Sequence, residues 1–161
     1  MKKNLKKTQK YLPVLLYVVV FNIIVVTAVV VVHEEGHFFA GSYLGCNNIK
    51  IVLFDSSLLS TYTQMACSSQ IPTQILLLGG FLLVTPLAIS LLVLKDFNER
   101  YFCWVILGFN FIISSSDIAT LSGVWQVSFL NVILGAAAIV VGEIMLSDRL
   151  LILKEEIKTD M

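Results

Sequence analysis

The stretch LPVLLYVVVFNIIVVTAVVVVHEEGH, residues 12–37, is apolar for 21 residues apart from Pro13, Asn22 and Thr27, and then carries four ionisable side chains. As an α-helix, residues 12–32 would rise about 31 Å, which is the thickness of one bilayer hydrocarbon core. Ionisable residues in or at the end of such a segment are costly and usually mark a functional site. The stretch therefore predicts a membrane span that ends in a chemical site.

The rest of the chain continues the apolar pattern. Hydrophobic residues make up 57% of the sequence and charged residues 14%, with a mean hydropathy of +0.87. Soluble domains carry about 45–50% apolar and roughly 25% charged residues. We therefore predict an all-α polytopic membrane protein, a single integral membrane domain over residues 1–161. Its four predicted spans cover about residues 12–40, 73–94, 101–116 and 124–146.

The basic residues predict the orientation of these spans. Ten of the eleven Lys and Arg residues lie before residue 11, between spans two and three, or in the C-terminal tail, and the exception is Lys50. Basic residues concentrate on the cytoplasmic side, so both termini are predicted to be cytoplasmic, with loops 45–72 and 117–123 outside. We interpret the lysine-rich opening MKKNLKKTQK as the flank of an uncleaved span, and the short loops favour a prokaryotic plasma membrane.

The segment HEEGH, residues 33–37, fits the pattern H-E-x-x-H. On a helix, His33 and His37 lie on one face and can bind one Zn²⁺ ion. Glu34 would then be the catalytic base that acts on a water activated by the metal, without being a ligand itself. Glu35 points elsewhere and receives no catalytic role. The alternative is that these residues form a cluster of polar side chains at a helix end without a catalytic or metal-binding role.

A zinc site needs a third protein ligand, and the depth of each candidate in the membrane discriminates among them. Asp117 is the best candidate, because spans one and three run in the same direction and each has its polar cluster toward the outer end. Glu143 lies near the inner end of span four, at the wrong depth. Asn110, about two turns deeper than Asp117, would bind a substrate backbone or a neighbouring helix. The other candidates are Cys46, Cys67, Cys103 and Asp55.

With these motifs the chain resembles the site-2 protease family of intramembrane zinc metalloproteases. VVHEEGHFFAG matches the family's first motif, and FNFIISSSDIA matches the second loosely, with Asn110 and Asp117 in place. The resemblance covers roughly residues 20–120 and implies a three-helix core, with span four as an addition. The proline between Asn and Asp and the glycine after Asp are absent. Many family members hold zinc nearer the cytosolic side, whereas the lysines here place it nearer the outer side.

The first outer loop contains two segments, IKIVLF and STYTQM, that are rich in β-branched and aromatic residues and separated by DSS. They predict a β-hairpin beside the site, or else a loop that covers the outer face. Cys46 and Cys67 in this loop would be bridged in an oxidising compartment, although we favour two unlinked thiols. In span four, Ala138 and Gly142 have small-xxx-small spacing, which favours packing against another span over dimerisation.

Together these features predict a zinc-dependent metalloendopeptidase that hydrolyses peptide bonds in or near the transmembrane segments of a membrane protein or peptide. Its partners would be this substrate and the lipid bilayer. A net charge of zero gives no electrostatic case for nucleic acid. One alternative is a non-catalytic protein that binds or transports a divalent metal, and another is a protease-like pseudoenzyme. The substrate, the cleavage site and the oligomeric state have no signature in the sequence.

Overall fold

A computed structural model of the chain describes residues 2–55, 60–68, 70–93 and 100–159. This part of the chain is mostly helical, with one small two-stranded antiparallel sheet. The elements in chain order are α1 (Lys2–Tyr43), β1 (Asn47–Asp55), β2 (Ser60–Ala66), α2 (Thr73–Val93), α3 (Arg100–Ile113), α4 (Ser115–Ser122) and α5 (Trp125–Thr159).

Three of the described helices are long and apolar enough to cross a membrane, over Leu12–Tyr43, Thr73–Leu91 and Trp125–Ile152. Helices α3 and α4 qualify only as a pair, and their axes are bent by 50° where they join. The prediction of about four spans therefore holds if the bent pair counts as one span, and the count is three if it does not.

The third predicted span differs from expectation at its C-terminal end. Residues 101–116 were predicted as one helix, with Asp117 opening a loop over 117–123, but Asp117 lies in the first turn of α4. The break falls at Ser114, within three consecutive serines, and serine side chains compete with the backbone for hydrogen bonds. Gly123, in the left-handed conformation with φ 66°, ends α4. The bend turns the start of α4 toward α1 and α2.

The helices pack around an apolar cluster. Close approaches at glycines bring the backbones of neighbouring helices together. An added Cβ at Gly36 of α1 would clash with the carbonyl oxygen of Gly79 on α2. One at Gly142 of α5 would lie 2.9 Å from the carbonyl oxygen of Tyr101 on α3, so the predicted packing of this small residue against another span is confirmed. The buried members of the cluster are Phe21, Val25, Val29, Val84, Val105 and Leu146.

The predicted hairpin is present, and it contacts α1. Strands β1 and β2 are antiparallel, with Ile51 opposite Thr63. The residues after Asp55 in the predicted DSS turn lie outside the described part of the chain. Cys46 and Cys67 form a disulfide that joins the base of the hairpin, so the preference for two unlinked thiols was wrong. The sequence separation of 21 gave no sign of this pairing, because the antiparallel register is what brings the two cysteines together.

Candidate metal centre

Helix α1 presents the HEEGH motif to the interior of the bundle. His33 is 2% exposed and Glu34 5% exposed, even though both belong to residue types that are usually hydrated. The approach of α1 to α2 allows this burial, because Gly36 and Gly79 place the two backbones in contact. Gly80 leaves the space that the His33 ring occupies: an added Cβ would lie 2.5 Å from ring atoms Cε1 and Nδ1.

Three ligand atoms from two distant parts of the chain converge at this point. The Nε2 atoms of His33 and His37 are 3.0 Å apart. Oδ2 of Asp117 lies 3.1 Å from the first and 3.3 Å from the second. Asp117 reaches the two histidines because the bend between α3 and α4 directs the first turn of α4 toward α1. The structure thus brings together the three residues that the sequence predicted as metal ligands.

The far nitrogen of His37 is held by the backbone of α2. His37 Nδ1 lies 2.6 Å from the carbonyl oxygen of Leu76. A carbonyl oxygen can only accept, so Nδ1 must carry the proton and donate it. In the neutral ring, Nε2 is then the atom with the free lone pair, and it faces the other two ligand atoms. This arrangement, with a fixed tautomer and a fixed ring, is typical of histidines that bind metals.

The far nitrogen of His33 begins a chain of buried hydrogen bonds. Ser114 Oγ lies 3.4 Å from His33 Nδ1 and donates to Asn110 Oδ1 at 3.3 Å, so it is available to accept from the histidine. Asn110 Nδ2 donates to Thr85 Oγ1 at 3.1 Å, and Thr85 donates to the carbonyl oxygen of Phe81 at 2.7 Å. The chain therefore favours the His33 tautomer whose Nε2 lone pair faces the cluster.

The donor set fits zinc. Two imidazole lone pairs and a carboxylate oxygen repel one another at separations near 3 Å, and a cation between them removes that repulsion. Zn–N and Zn–O bonds of about 2.0–2.1 Å at tetrahedral angles place neighbouring ligand atoms about 3.3 Å apart. The observed separations of 3.0 to 3.3 Å are close to this value. Three protein ligands leave a fourth position open, as in catalytic zinc sites.

Glu34 lies beside the cluster and is held by the hairpin. The Thr63 hydroxyl of β2 donates to Glu34 Oε2 at 2.8 Å and lies 3.0 Å from the carbonyl oxygen of the same residue. A cavity of about 690 Å³ opens in front of these groups, between α1, α2, β2 and the bend. His33, Glu34, His37 and Asp117 all line it, so the glutamate carboxylate and the three candidate metal ligands face the same space.

Of the two roles predicted for Asn110, the structure supports the contact with a neighbouring helix. Its side chain is fully buried, bonds to Thr85 on α2, and is not among the residues that line the cavity. The geometry therefore supports a contact with a neighbouring helix, and nothing in it supports the predicted contact with a substrate backbone.

The other candidate ligands lie elsewhere. Asp55 accepts a hydrogen bond from Tyr62, and this bond raises the pKa of Tyr62 above its ordinary value. Glu143 accepts a hydrogen bond from Asn22 of α1, far from the cluster. Cys46 and Cys67 are bridged, and Cys103 is buried within α3. Among the described residues, Asp117 is the carboxylate that meets both histidines.

Sequence reasoning missed Ser114 and Thr63. A signal for Ser114 was present, because Asn110, Ser114 and Asp117 follow the i, i+4, i+7 spacing of one helix face. Thr63 carried no signal, since its contact with Glu34 depends on where the hairpin docks.

No family model, curated protein or solved structure matches this chain. The resemblance to the site-2 protease family therefore stays a prediction that rests on the two motifs.

Proposed function

We propose that this protein is a zinc-dependent endopeptidase of the site-2 protease type, which hydrolyses peptide bonds in or next to membrane-spanning segments. One observation carries the proposal: three metal-ligand atoms and a buried glutamate, which is not a ligand, line the same cavity. A structural metal site would have no use for an uncoordinated carboxylate held beside it or for an open cavity in front of it.

Each residue of the centre has a separate role. His33, His37 and Asp117 would hold zinc, which lowers the pKa of water and polarises a peptide carbonyl. Glu34 accepts the proton of the attacking water and later delivers it to the leaving amine. Thr63 holds the Glu34 carboxylate in one position, and the buried walls around both groups restrict bulk water.

The site is proposed to face the outside of a prokaryotic plasma membrane, in a multi-pass protein with both termini in the cytoplasm. The distribution of lysine and arginine supports this orientation. The disulfide between Cys46 and Cys67 supports it independently, since disulfides persist in oxidising compartments. Strand β2, which ends directly before Cys67, lines the cavity, so the cavity and the disulfide lie on the same side of the bundle.

Metal transport is the weaker alternative. The next carboxylate along the described part of the bundle is that of Glu143, which accepts a hydrogen bond from Asn22, and Asn22 lies 11 residues before His33, or about 16 Å along α1. Between them on the same helix face are the buried side chains of Val25 and Val29. These apolar residues offer no ligand to a cation that would have to pass. The alternative of a protease-like pseudoenzyme has no support at Glu34, because the carboxylate is present and a hydrogen bond from Thr63 holds it beside the cluster.

The test is metal content measured together with cleavage of a single-span peptide by purified protein in lipid. We expect about one zinc per chain in the wild type. Glu34→Gln should keep the metal and lose cleavage, because it removes the proton acceptor and leaves the ligands unchanged. His37→Ala and Asp117→Ala should lose both.

Three results would count against the proposal. A wild-type protein without metal would remove the zinc site. Normal zinc in Asp117→Ala would mean that the third ligand is another residue. Cleavage by Glu34→Gln would contradict the role given to the glutamate.

A further inference from the structure

Glu35, next to the proposed base, has no partner in the described part of the chain. It is exposed, and no hydrogen bond or ion pair joins it to another described residue. On α1 it faces away from the metal centre and lines a shallow apolar groove together with Ile24, Thr27 and Val31. The neighbouring Glu34 is buried and hydrogen-bonded, so the two glutamates have opposite environments.

Glu35 lies within the apolar surface of α1 and not at its border. Phe39, one turn further out on the same face, is 59% exposed, and Tyr43, a further turn out, is 90% exposed. The contact between Gly36 and Gly79 places Glu35 level with the seventh residue of α2. That is about 9 Å inside the outer end of this apolar helix. In the proposed membrane setting, the carboxylate therefore faces lipid below the outer surface.

Charged side chains at such depth almost always pair with another group, because lipid offers them neither water nor counter-ions. The described part of the chain offers it no suitable cation, since Lys50 is the single lysine or arginine between residues 11 and 94 and lies on strand β1. A second copy would offer the same set of residues. The group that fits Glu35 is thus a lysine or arginine in a membrane segment of a different protein.

The surface around Glu35 leads to the catalytic cavity. A second groove, of about 280 Å³, lies between α1 and the hairpin and shares Thr27 and Val31 with the first. Thr61 of β2 lines this second groove and also lines the catalytic cavity. A helix that lies against this face of α1 would therefore pass beside the hairpin, next to the entrance of the cavity.

We propose that this face of α1 docks the transmembrane helix of the substrate, and that Glu35 selects helices with a lysine or arginine in their outer half. The inference rests on the proposed function, because it names the substrate class of that site. It predicts that the scissile bond lies on the inner side of the basic residue, since the groove that reaches Thr61 and the cavity is lined on α1 by residues 26–31, which precede Glu35.

The test measures binding without cleavage, using zinc-loaded Glu34→Gln protein in lipid nanodiscs. The probes are two single-span peptides of leucine and alanine that differ at one position in the outer half, which is lysine or glutamine. We expect the lysine probe to bind about tenfold more tightly, from the strength of polar pairs between membrane helices. Adding Glu35→Gln should abolish this preference, and Glu35→Lys should transfer it to a probe with glutamate at that position.

Asp148→Asn is the matched control, because it neutralises an exposed carboxylate on α5, away from this face. It should leave the preference unchanged, and the zinc content of each variant reports whether it has folded. Equal binding of the two probes, or a preference that survives Glu35→Gln, would overturn the inference. So would a change in oligomeric state on Glu35→Gln without any probe preference. If the preference holds but wild-type protein cleaves neither probe, the docking surface stands and the proposed peptidase activity fails.

Discussion

Gly80→Ala tests whether the packing of α2 on α1 determines the position of His33, a proposed metal ligand. The new Cβ would lie 2.5 Å from Cε1 and Nδ1 of the His33 ring. Carbon contacts are favourable at about 3.5–4.0 Å, so the ring must retreat by about 1 Å. Helix α2 cannot move away instead, because that would open the Gly36–Gly79 contact that docks it on α1.

A displacement of this size is large for a metal site, where ligand distances hold within about 0.2 Å. It would also separate His33 Nδ1 from Ser114 Oγ, which is already 3.4 Å away. We expect zinc affinity to fall about 100-fold, the upper end of the loss seen when the surroundings of a ligand are disturbed. The fold should survive, since alanine is favoured over glycine within a helix by about 1 kcal/mol.

The assay is competition for zinc with a chromophoric chelator, with thermal unfolding of the metal-free protein measured in parallel. Gly142→Ala is the control for packing damage, because its Cβ would crowd Val105 at 2.6 Å in the α3–α5 contact, away from the metal ligands. It should lower stability and leave zinc affinity unchanged. Wild-type zinc affinity in Gly80→Ala would refute the conclusion that Gly80 makes room for a ligand.

Three further variants separate metal binding from catalysis. Thr63→Val should lower kcat by about tenfold or more and leave zinc content unchanged, because it removes a hydrogen bond to a charged group worth about 1.5–3 kcal/mol. Thr63→Ser, which keeps the hydroxyl, should restore most of the rate, and equal rates for the two would exclude this role. Ser114→Ala should weaken zinc binding about 10-fold, because the proton on His33 Nδ1 would lose its hydrogen-bond acceptor and the ring would no longer be held in one tautomer. An unchanged zinc affinity in a chelator titration would exclude this role for Ser114. Replacing both Cys46 and Cys67 by serine should retain zinc, since every proposed ligand lies on a helix, but should destabilise the hairpin by about 3 kcal/mol and slow cleavage. Faster amide hydrogen exchange at the two strands would confirm this expectation, and loss of zinc would contradict it.

The local parts of the site were predictable because they depend on helix periodicity. Residues four apart on a helix share a face, so the histidine spacing alone brought His33 and His37 together. The position of Glu34 beside the two histidines follows from the same H-E-x-x-H pattern. The choice of Asp117 required one more assumption, that polar groups of parallel spans lie at similar depth, and the structure brings its carboxylate to both histidines.

The expected end of the third helix was wrong because periodicity does not reveal a bend. Residues 101–122 contain an apolar segment followed by serines, which is compatible with a helix end, a loop or a second helix. Packing decides among these: α4 lies against α5 and α2, and its first turn points at α1. The disulfide is a similar case, because the hairpin register determines which cysteines meet.

The sequence by itself determined that long apolar helices form, and that one of them carries two histidines on one face with a glutamate beside them. Both results follow from neighbours within a few turns of one helix, where backbone geometry fixes the distances. The tertiary structure decided the partners of those groups: the Leu76 carbonyl for His37, Ser114 for His33 and Thr63 for Glu34. These contacts join residues 29 to 81 positions apart, so they depend on how helices and strands dock, which no local pattern specifies.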